Sequence, residues 1–260
     1  MTFKIISTGW ECRPFVERTL VSIESQTVSD YEVRIVVDPS EDGTEQFVKD
    51  WCDARDDRWT YEFTESQRFS TPNQLSALKY LDPVDDDIVI WLDLDGDQFA
   101  HPDVLAHLLD YYSDDTLLTY GSFKCVPKVK TNSPATPFPP EVIDSNSYRR
   151  HTRMVGCCFN HLRTMKGRVA TAIPEKQFRW SKGNQRGQIY QGGADYVFML
   201  AGLELAGPRH KFIKEILCLY NHANPHADYL VRGNLSPPAV ADFLQKAPLA
   251  PLPETTKEFS

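Results

Sequence analysis

The chain contains no run of eighteen apolar residues, so nothing in it reads as a membrane-spanning helix. Its six cysteines (Cys12, Cys52, Cys125, Cys157, Cys158 and Cys218) show no CxxC spacing. That argues against a zinc site or a disulfide frame and for reduced thiols in a cytosolic protein. A signal-peptide layout is missing, because Met1-Thr2-Phe3-Lys4-Ile5-Ile6 passes straight into a strand-like run. No internal repeat is present. Nor is there a glycine-rich, basic phosphate loop near the N-terminus, where Gly9-Trp10-Glu11-Cys12-Arg13 stands instead; a nucleotidyltransferase would want one.

What is present begins with length. At 260 residues the chain can bury an ample core in one large α/β domain or two small ones. Its net charge of −8 hides an asymmetry. Residues 121–190 carry 13 Lys and Arg against 3 acids, whereas the other 190 residues carry 15 basic and 33 acidic residues. A split of this kind suggests one region that meets a polyanion.

The stretch that organises the chain is Ile88-Val89-Ile90-Trp91-Leu92-Asp93-Leu94-Asp95-Gly96-Asp97-Gln98-Phe99. A short apolar run closed by a turn signal reads as a buried strand in the middle of a parallel sheet. Ligands of open α/β sheets bind outside the carboxyl ends of the strands. Three acids at such an end repel one another unless a cation sits among them, and a divalent metal with oxygen ligands, itself holding a diphosphate, answers that need. The plainer alternative is a solvated turn after a core strand.

Strand and helix signals alternate on both sides of it. Phe3–Thr8, Tyr31–Val37, Thr60–Phe63, Thr116–Ser122 and Ile213–Tyr220 read as further strands. Helices are expected from Pro14, over Glu45–Ala54, from Thr71 as cap, over Pro102–Tyr112 and over Tyr196–Ala206. The alternation predicts a mostly parallel, doubly wound α/β sheet. Residues 124–150 are rich in Pro, Ser, Asn and Thr and read as a long loop or lid. Residues 151–190 are basic, and the proline-rich tail from Ser236 reads as a peripheral strap or partly disordered segment. The expected division is 1–123, 124–235 and the tail 236–260.

The order of these features resembles the family 2, GT-A-type nucleotide-sugar glycosyltransferases, over about residues 3–228. Ile35-Val36-Val37-Asp38-Pro39-Ser40-Glu41-Asp42-Gly43-Thr44 looks like the family's VDDGSxDGT stretch, with Pro39 in place of the second Asp. Trp91-Leu92-Asp93-Leu94-Asp95-Gly96-Asp97 looks like its DxD motif. Gly192-Gly193-Ala194-Asp195 is similar to the start of the acceptor-side helix that carries the catalytic acid. Leu219-Tyr220-Asn221-His222-Ala223-Asn224-Pro225 resembles the closing YN-x-x-NP segment of a soluble, phage-like subgroup. The resemblance implies a GT-A fold. Residues 1–123 would form the nucleotide-sugar half, and residues 124–235 the acceptor-binding and catalytic half with a basic acceptor-side insertion.

It also implies roles. Thr8, Gly9, Asp38, Asp93 and Asp95 would bind the nucleotide of a UDP-sugar donor. Asp95 and Asp97, with His222 as a further ligand, would hold Mn²⁺ or Mg²⁺ on the diphosphate. Asp195 would be the general base for an inverting displacement, although an aspartate there equally suits the N-cap of the following helix. The basic segment points to a polyanionic acceptor, bound by Arg163, Lys166, Arg168, Arg179, Trp180 and Lys182, with phosphate attraction and stacking. DNA with hydroxymethylated pyrimidines fits that description and offers a primary hydroxyl; the location would then be a host cytoplasm. Acidic or surface glycans are the rival acceptors, and a non-catalytic binding module on the same scaffold is the rival function.

Overall fold

The computed structural model describes residues 1–128, 134–226 and 235–254; part of the 124–150 loop and the end of the tail lie outside the described residues. The first half alternates strand and helix: β1 (Phe3–Gly9), α1 (Arg13–Glu24), β2 (Tyr31–Val37), α2 (Thr44–Asp53), β3 (Trp59–Phe63), α3 (Ser70–Leu81) and β4 (Ile88–Trp91). β1 pairs in parallel with both β2 and β4, and β2 with β3. These strands are apolar on both faces because both faces are covered. Successive residues supply opposite sides. Ile5, Ile35, Val37, Ile88 and Ile90 enter one core with α1 and α2. Ile6, Val36, Val89 and Trp91 enter the other with α3. α3 begins one residue before the expected cap, and Thr71 is buried inside it.

The second half completes the same sheet. β5 (Gln98–Phe99), α4 (Val104–Tyr111), β6 (Leu118–Val126), α5 (Pro140–Asp144), α6 (Tyr148–Val155), β7 (Asn160–Lys166), α7 (Gly167–Ala172), α8 (Ala194–Ala206), β8 (His210–Asn221) and α9 (Ser236–Phe243) follow in order. The strand order is β3-β2-β1-β4-β7-β6-β8-β5. β7 runs antiparallel to both β4 and β6, so β4 is parallel to only one of its neighbours. The division expected at 123/124 falls inside β6.

The basic segment is threaded through this architecture, a correction to the expected insertion. β7 lies between β4 and β6 with all but its first residue buried. Its cations hid a core strand because each ends on an anion or a carbonyl. Arg149 on α6 is likewise buried, with Nε and Nη2 donating to the Glu204 carboxylate of α8 at 2.6 and 2.7 Å. An unpaired charge at that depth would cost several kcal/mol, roughly 3–5 by analogy with broken buried pairs. The start of the tail is a packed helix, while residues 247–254 run as a strap across α8. α9 buries Ala239 and Phe243, and Asp242 accepts hydrogen bonds from Ser181 and from the Tyr190 hydroxyl.

Candidate active site

A cleft of about 290 Å³ opens at the carboxyl ends of β1, β2 and β4. Its lining includes Thr8, Gly9, Asp38, Asp93, Asp95, Arg163 and Asp195, each singled out from the sequence. β4 ends at Trp91, and the chain turns through Leu94-Asp95-Gly96. Gly96 has φ +105°. A Cβ there would lie 2.7 Å from Asn221 Nδ2 and 3.0 Å from Phe15 Cβ. The turn breaks strand alternation, so the three acids separate: Asp93 and Asp95 face the cleft, and Asp97 points into the protein, fully buried. Gly9 is needed for a similar reason, since a Cβ there would meet Leu94 Cβ at 2.9 Å. The asparagines of the closing segment fasten the turn. Asn221 Nδ2 donates to the Asp95 carbonyl at 2.6 Å, and Asn224 Nδ2 to the Asp95 carboxylate at 2.9 Å. Gly96→Ala is expected to destabilise the protein by about 1–3 kcal/mol. Urea unfolding checks this; an unchanged midpoint would mean that the turn relaxes without Asn221.

Asp38 lies at the end of β2 and is buried. Oδ1 accepts from Thr64 Oγ1 at 2.9 Å, Asn73 Nδ2 at 2.8 Å and the Arg68 amide at 3.1 Å, while Oδ2 accepts from the Phe69 amide at 2.8 Å. Three of these donors crowd Oδ1, while Oδ2, with one donor, keeps an acceptor position open. Its visible work is to hold the 64–73 segment, which brings Phe69, Ser70 and Asn73 to the cleft wall. Trp10 closes the opposite side, its indole N–H donating to the Pro39 carbonyl at 3.1 Å and its ring meeting His226 edge-on.

Arg163 crosses the floor. Trp91 and Arg163 are register partners on β4 and β7, which sets the guanidinium beside the acids that follow Trp91. Nη2 is 3.4 Å from Asp93 Oδ2, and Nη1 is 3.6 Å from Asp195 Oδ2. Burial opposes the arginine's charge, but Asp93, Asp195 and Asp97 outweigh it and its pKa is raised. Burial raises the pKa of Asp93, against the pull of Arg163. Asp195 is in the first turn of α8, while Gly193, at φ +79°, takes the cap position and no side chain caps the helix. The carboxylate is thus free of the capping role, favoured by the helix N-terminus and 42% exposed toward the cleft.

Behind Asp95 lies a second layer. Asp97 Oδ1 accepts from the Asn221 amide at 2.8 Å. Asp97 Oδ2 and His161 Nδ1 are both buried without a hydrogen-bond partner, 3.9 Å apart. Burial, then the charges of Asp95 and Asp93, raise Asp97 well above the ordinary carboxylate range. Burial and Arg163 push His161 well below the ordinary imidazole range. It is therefore a neutral ring with a lone pair, the form a metal requires. Two unpartnered buried polar atoms facing each other beside Asp95 fit a divalent cation. Cys218 Sγ lies within 4.8 Å of both. Burial and then Asp97 raise its thiol pKa well above the usual value, so it is a soft, protonated neighbour unsuited to Mn²⁺ or Mg²⁺.

Other expected residues lie elsewhere. His222 is exposed, is absent from the cleft lining, and its amide donates to the Val126 carbonyl. His161 of β7, which carried no expected role, is the histidine that lines the cleft near Asp97. Lys166 is paired with Ile88 at the far end of β4, its ammonium on the Asp86 carbonyl, and Arg168 follows it into α7. Arg179 bonds to the Gly187 carbonyl and Glu175, Lys182 to Gln245, and Trp180 packs on Tyr190. None of these five side chains lines the cleft. Among the lining residues given no role beforehand, Asn224 stood within the quoted YN-x-x-NP segment, whereas Phe69 and His161 carried no signal.

Residues 5–168 match the profile described as Glycosyl transferase family 2. The chain belongs to that family. Among solved structures, Staphylococcus aureus TarS superposes with a TM-score of 0.60 at 15% identity, covering 90% of this chain and 39% of TarS. TarS 1–349 in complex with UDP gives 0.61 at 15% identity, over 96% of this chain and 67% of that one. The mannosyltransferase PcManGT from Pyrobaculum calidifontis, in complex with GDP-Man and Mn²⁺, gives 0.58 at 15% identity, over 93% and 62%. The family 2 chain thus spans well under half of that TarS chain, and the likeness establishes the GT-A type of α/β fold. No curated protein sequence matches it. No helix among the described residues is long and apolar enough to cross a membrane.

Proposed function

We propose that this family 2 chain transfers a sugar from a nucleoside-diphosphate donor to an acceptor hydroxyl by a single inverting displacement. The observation that carries the reading is the shared cleft. In it Asp93 and Asp95, at the end of β4, face Asp195 of α8 across one buried guanidinium. Thr8, Gly9, Trp10 and the Asp38-held wall with Phe69 would take the base and ribose. Asp95 and Asp97, with the neutral His161, would hold Mn²⁺ or Mg²⁺. Such an ion neutralises charge on the departing diphosphate. Asp195 would accept the acceptor's proton, and Arg163 would keep Asp93 and Asp195 in register. UDP is the first nucleotide to try, since UDP and GDP-Man each occupy a structural neighbour.

The acceptor follows from the charges that remain free. With Arg149, Arg163 and Lys166 engaged inside the protein, a polyanionic acceptor rests on the exposed Arg150, Arg153, Lys176, Lys182 and Arg186. Hydroxymethylpyrimidine DNA, with the phage-like subgroup and host cytoplasm that accompany it, depends on that set. A surface glycan or polymer does not. The test is a panel of UDP- and GDP-sugars with Mn²⁺, offered hydroxymethylated duplexes and glycan polymers, and read by mass spectrometry. A hexose-sized gain on either acceptor supports transfer and identifies the acceptor class. Donor hydrolysis without a gain keeps the enzyme reading and rejects both acceptors. Neither signal with any donor would make the chain a binding module and overturn the proposal.

A further inference from the structure

His101, His107 and Glu215 form a cluster apart from the cleft lining. His101 follows β5, and His107 is in the first turn of α4. Glu215 is placed by an irregularity in β8. Gly121 of β6 pairs with Ile213, but Ser122 pairs with Ile216, which leaves Lys214 and Glu215 outside the ladder. Bulges of this kind re-aim a side chain, and here the carboxylate meets the two imidazoles. His107 Nδ1 is 3.0 Å from Glu215 Oε1 and 3.1 Å from Oε2. His101 Nε2 is 3.4 Å from Oε1, yet it is a buried atom with no hydrogen bond. The two rings lie 5.0 Å apart between centroids.

We propose that these three residues bind a second divalent ion, a borderline transition metal such as Zn²⁺, which clips α4 to β8. Three ligand atoms, all within 4.8 Å of one another, are contributed by two imidazoles and one carboxylate. Tetrahedral zinc with bonds near 2.05 Å separates its ligands by roughly 3.3 Å. The 3.0 and 3.4 Å edges are already close to this, and the His101–His107 edge is no longer than 4.8 Å. The donor set differs in kind from the cleft acids. Two nitrogens and an oxygen suit Zn²⁺, whereas Mn²⁺ and Mg²⁺ favour oxygen. All three side chains are between 31 and 41% exposed, which gives the ion an entry path and leaves a fourth position for solvent. β5 pairs with β8 through Gln98↔Leu219 and Phe99↔Cys218. A clip just beyond that pairing would fasten the chain on the far side of Asp97 as well.

The test is thermal unfolding of the chelator-stripped full chain with Zn²⁺ alone, in the absence of donor. At a hundredfold excess over Kd, the ion is expected to raise Tm by roughly 5–10 °C. The rise should fall by more than half in His107→Gln and in Glu215→Gln, and persist in Asp97→Asn. No rise in the wild-type chain overturns the site. So does a rise of which more than half remains in either site variant, or one that disappears in Asp97→Asn. Both substitutions are at partly exposed side chains; if one prevents folding, the other decides.

Discussion

Asp195→Asn is expected to lower the turnover of sugar transfer by about 10²–10⁴-fold, the usual contribution of a positioned general base. Donor KM should change little, because the base and ribose would be held by the walls near Trp10 and Phe69 and not by Asp195. The expectation rests on three observations. Asp195 faces the cleft, it is not occupied as a helix cap, and its partner is the guanidinium that also engages Asp93. Because Asn keeps the shape and removes the charge, Arg163 retains Asp93 as its anchor. Steady-state kinetics on the acceptor that the panel identifies would check this. Turnover within about threefold of wild type would remove Asp195 from the chemistry and leave it an Arg163 partner only.

Asp97→Asn is expected to act in two directions. Transfer should fall by about 10²–10³-fold, since a metal ligand is worth several kcal/mol at the developing charge. The metal-free protein, in contrast, should gain stability. Burial raises the folded-state pKa of Asp97 above the ordinary 3.8. A carboxyl shifted that way favours the folded state most below pH 3.8, and that contribution is lost as pH climbs toward the raised value. Asn carries no proton to lose, so its advantage over wild type should grow across that window. At neutral pH a rise of roughly 2–4 °C in Tm corresponds to about 1 kcal/mol. Mn²⁺ should then stabilise wild type and leave the variant unmoved. A variant less stable than metal-free wild type at neutral pH, or one that still responds to Mn²⁺, would show that Asp97 is a structural hydrogen-bond acceptor for Asn221.

Those two aspartates illustrate what could be read in advance. Asp195 was visible because Gly-Gly-Ala-Asp stands before a long apolar helix, a local pattern that one turn of backbone realises. Asp97 was visible as an acid after a buried strand, but its direction was not. The positive φ at Gly96, a turn with no room for a Cβ beside Asn221 and Phe15, aims it away from Asp93 and Asp95. The basic segment misled for a related reason. Charge density along the chain treats every Lys and Arg as exposed, whereas partners distant in sequence bury Arg149, Arg163 and Lys166. β7 therefore passed unrecognised, and with it His161.

By itself the sequence determined the alternation of strands and helices, the acid run at the end of β4, the family, and several of the residues that line the cleft. Periodicity and turn chemistry are local, so those features needed no partner to be legible. The tertiary structure alone decided which acid faces the cleft and which lies behind it, that Asp38 holds the 64–73 segment, and that His161 lies near the acids. It alone also brought Glu215 to His101 and His107. Each of these depends on pairing between β7, β8 and distant strands, where the cost of an unpartnered buried charge selects the arrangement.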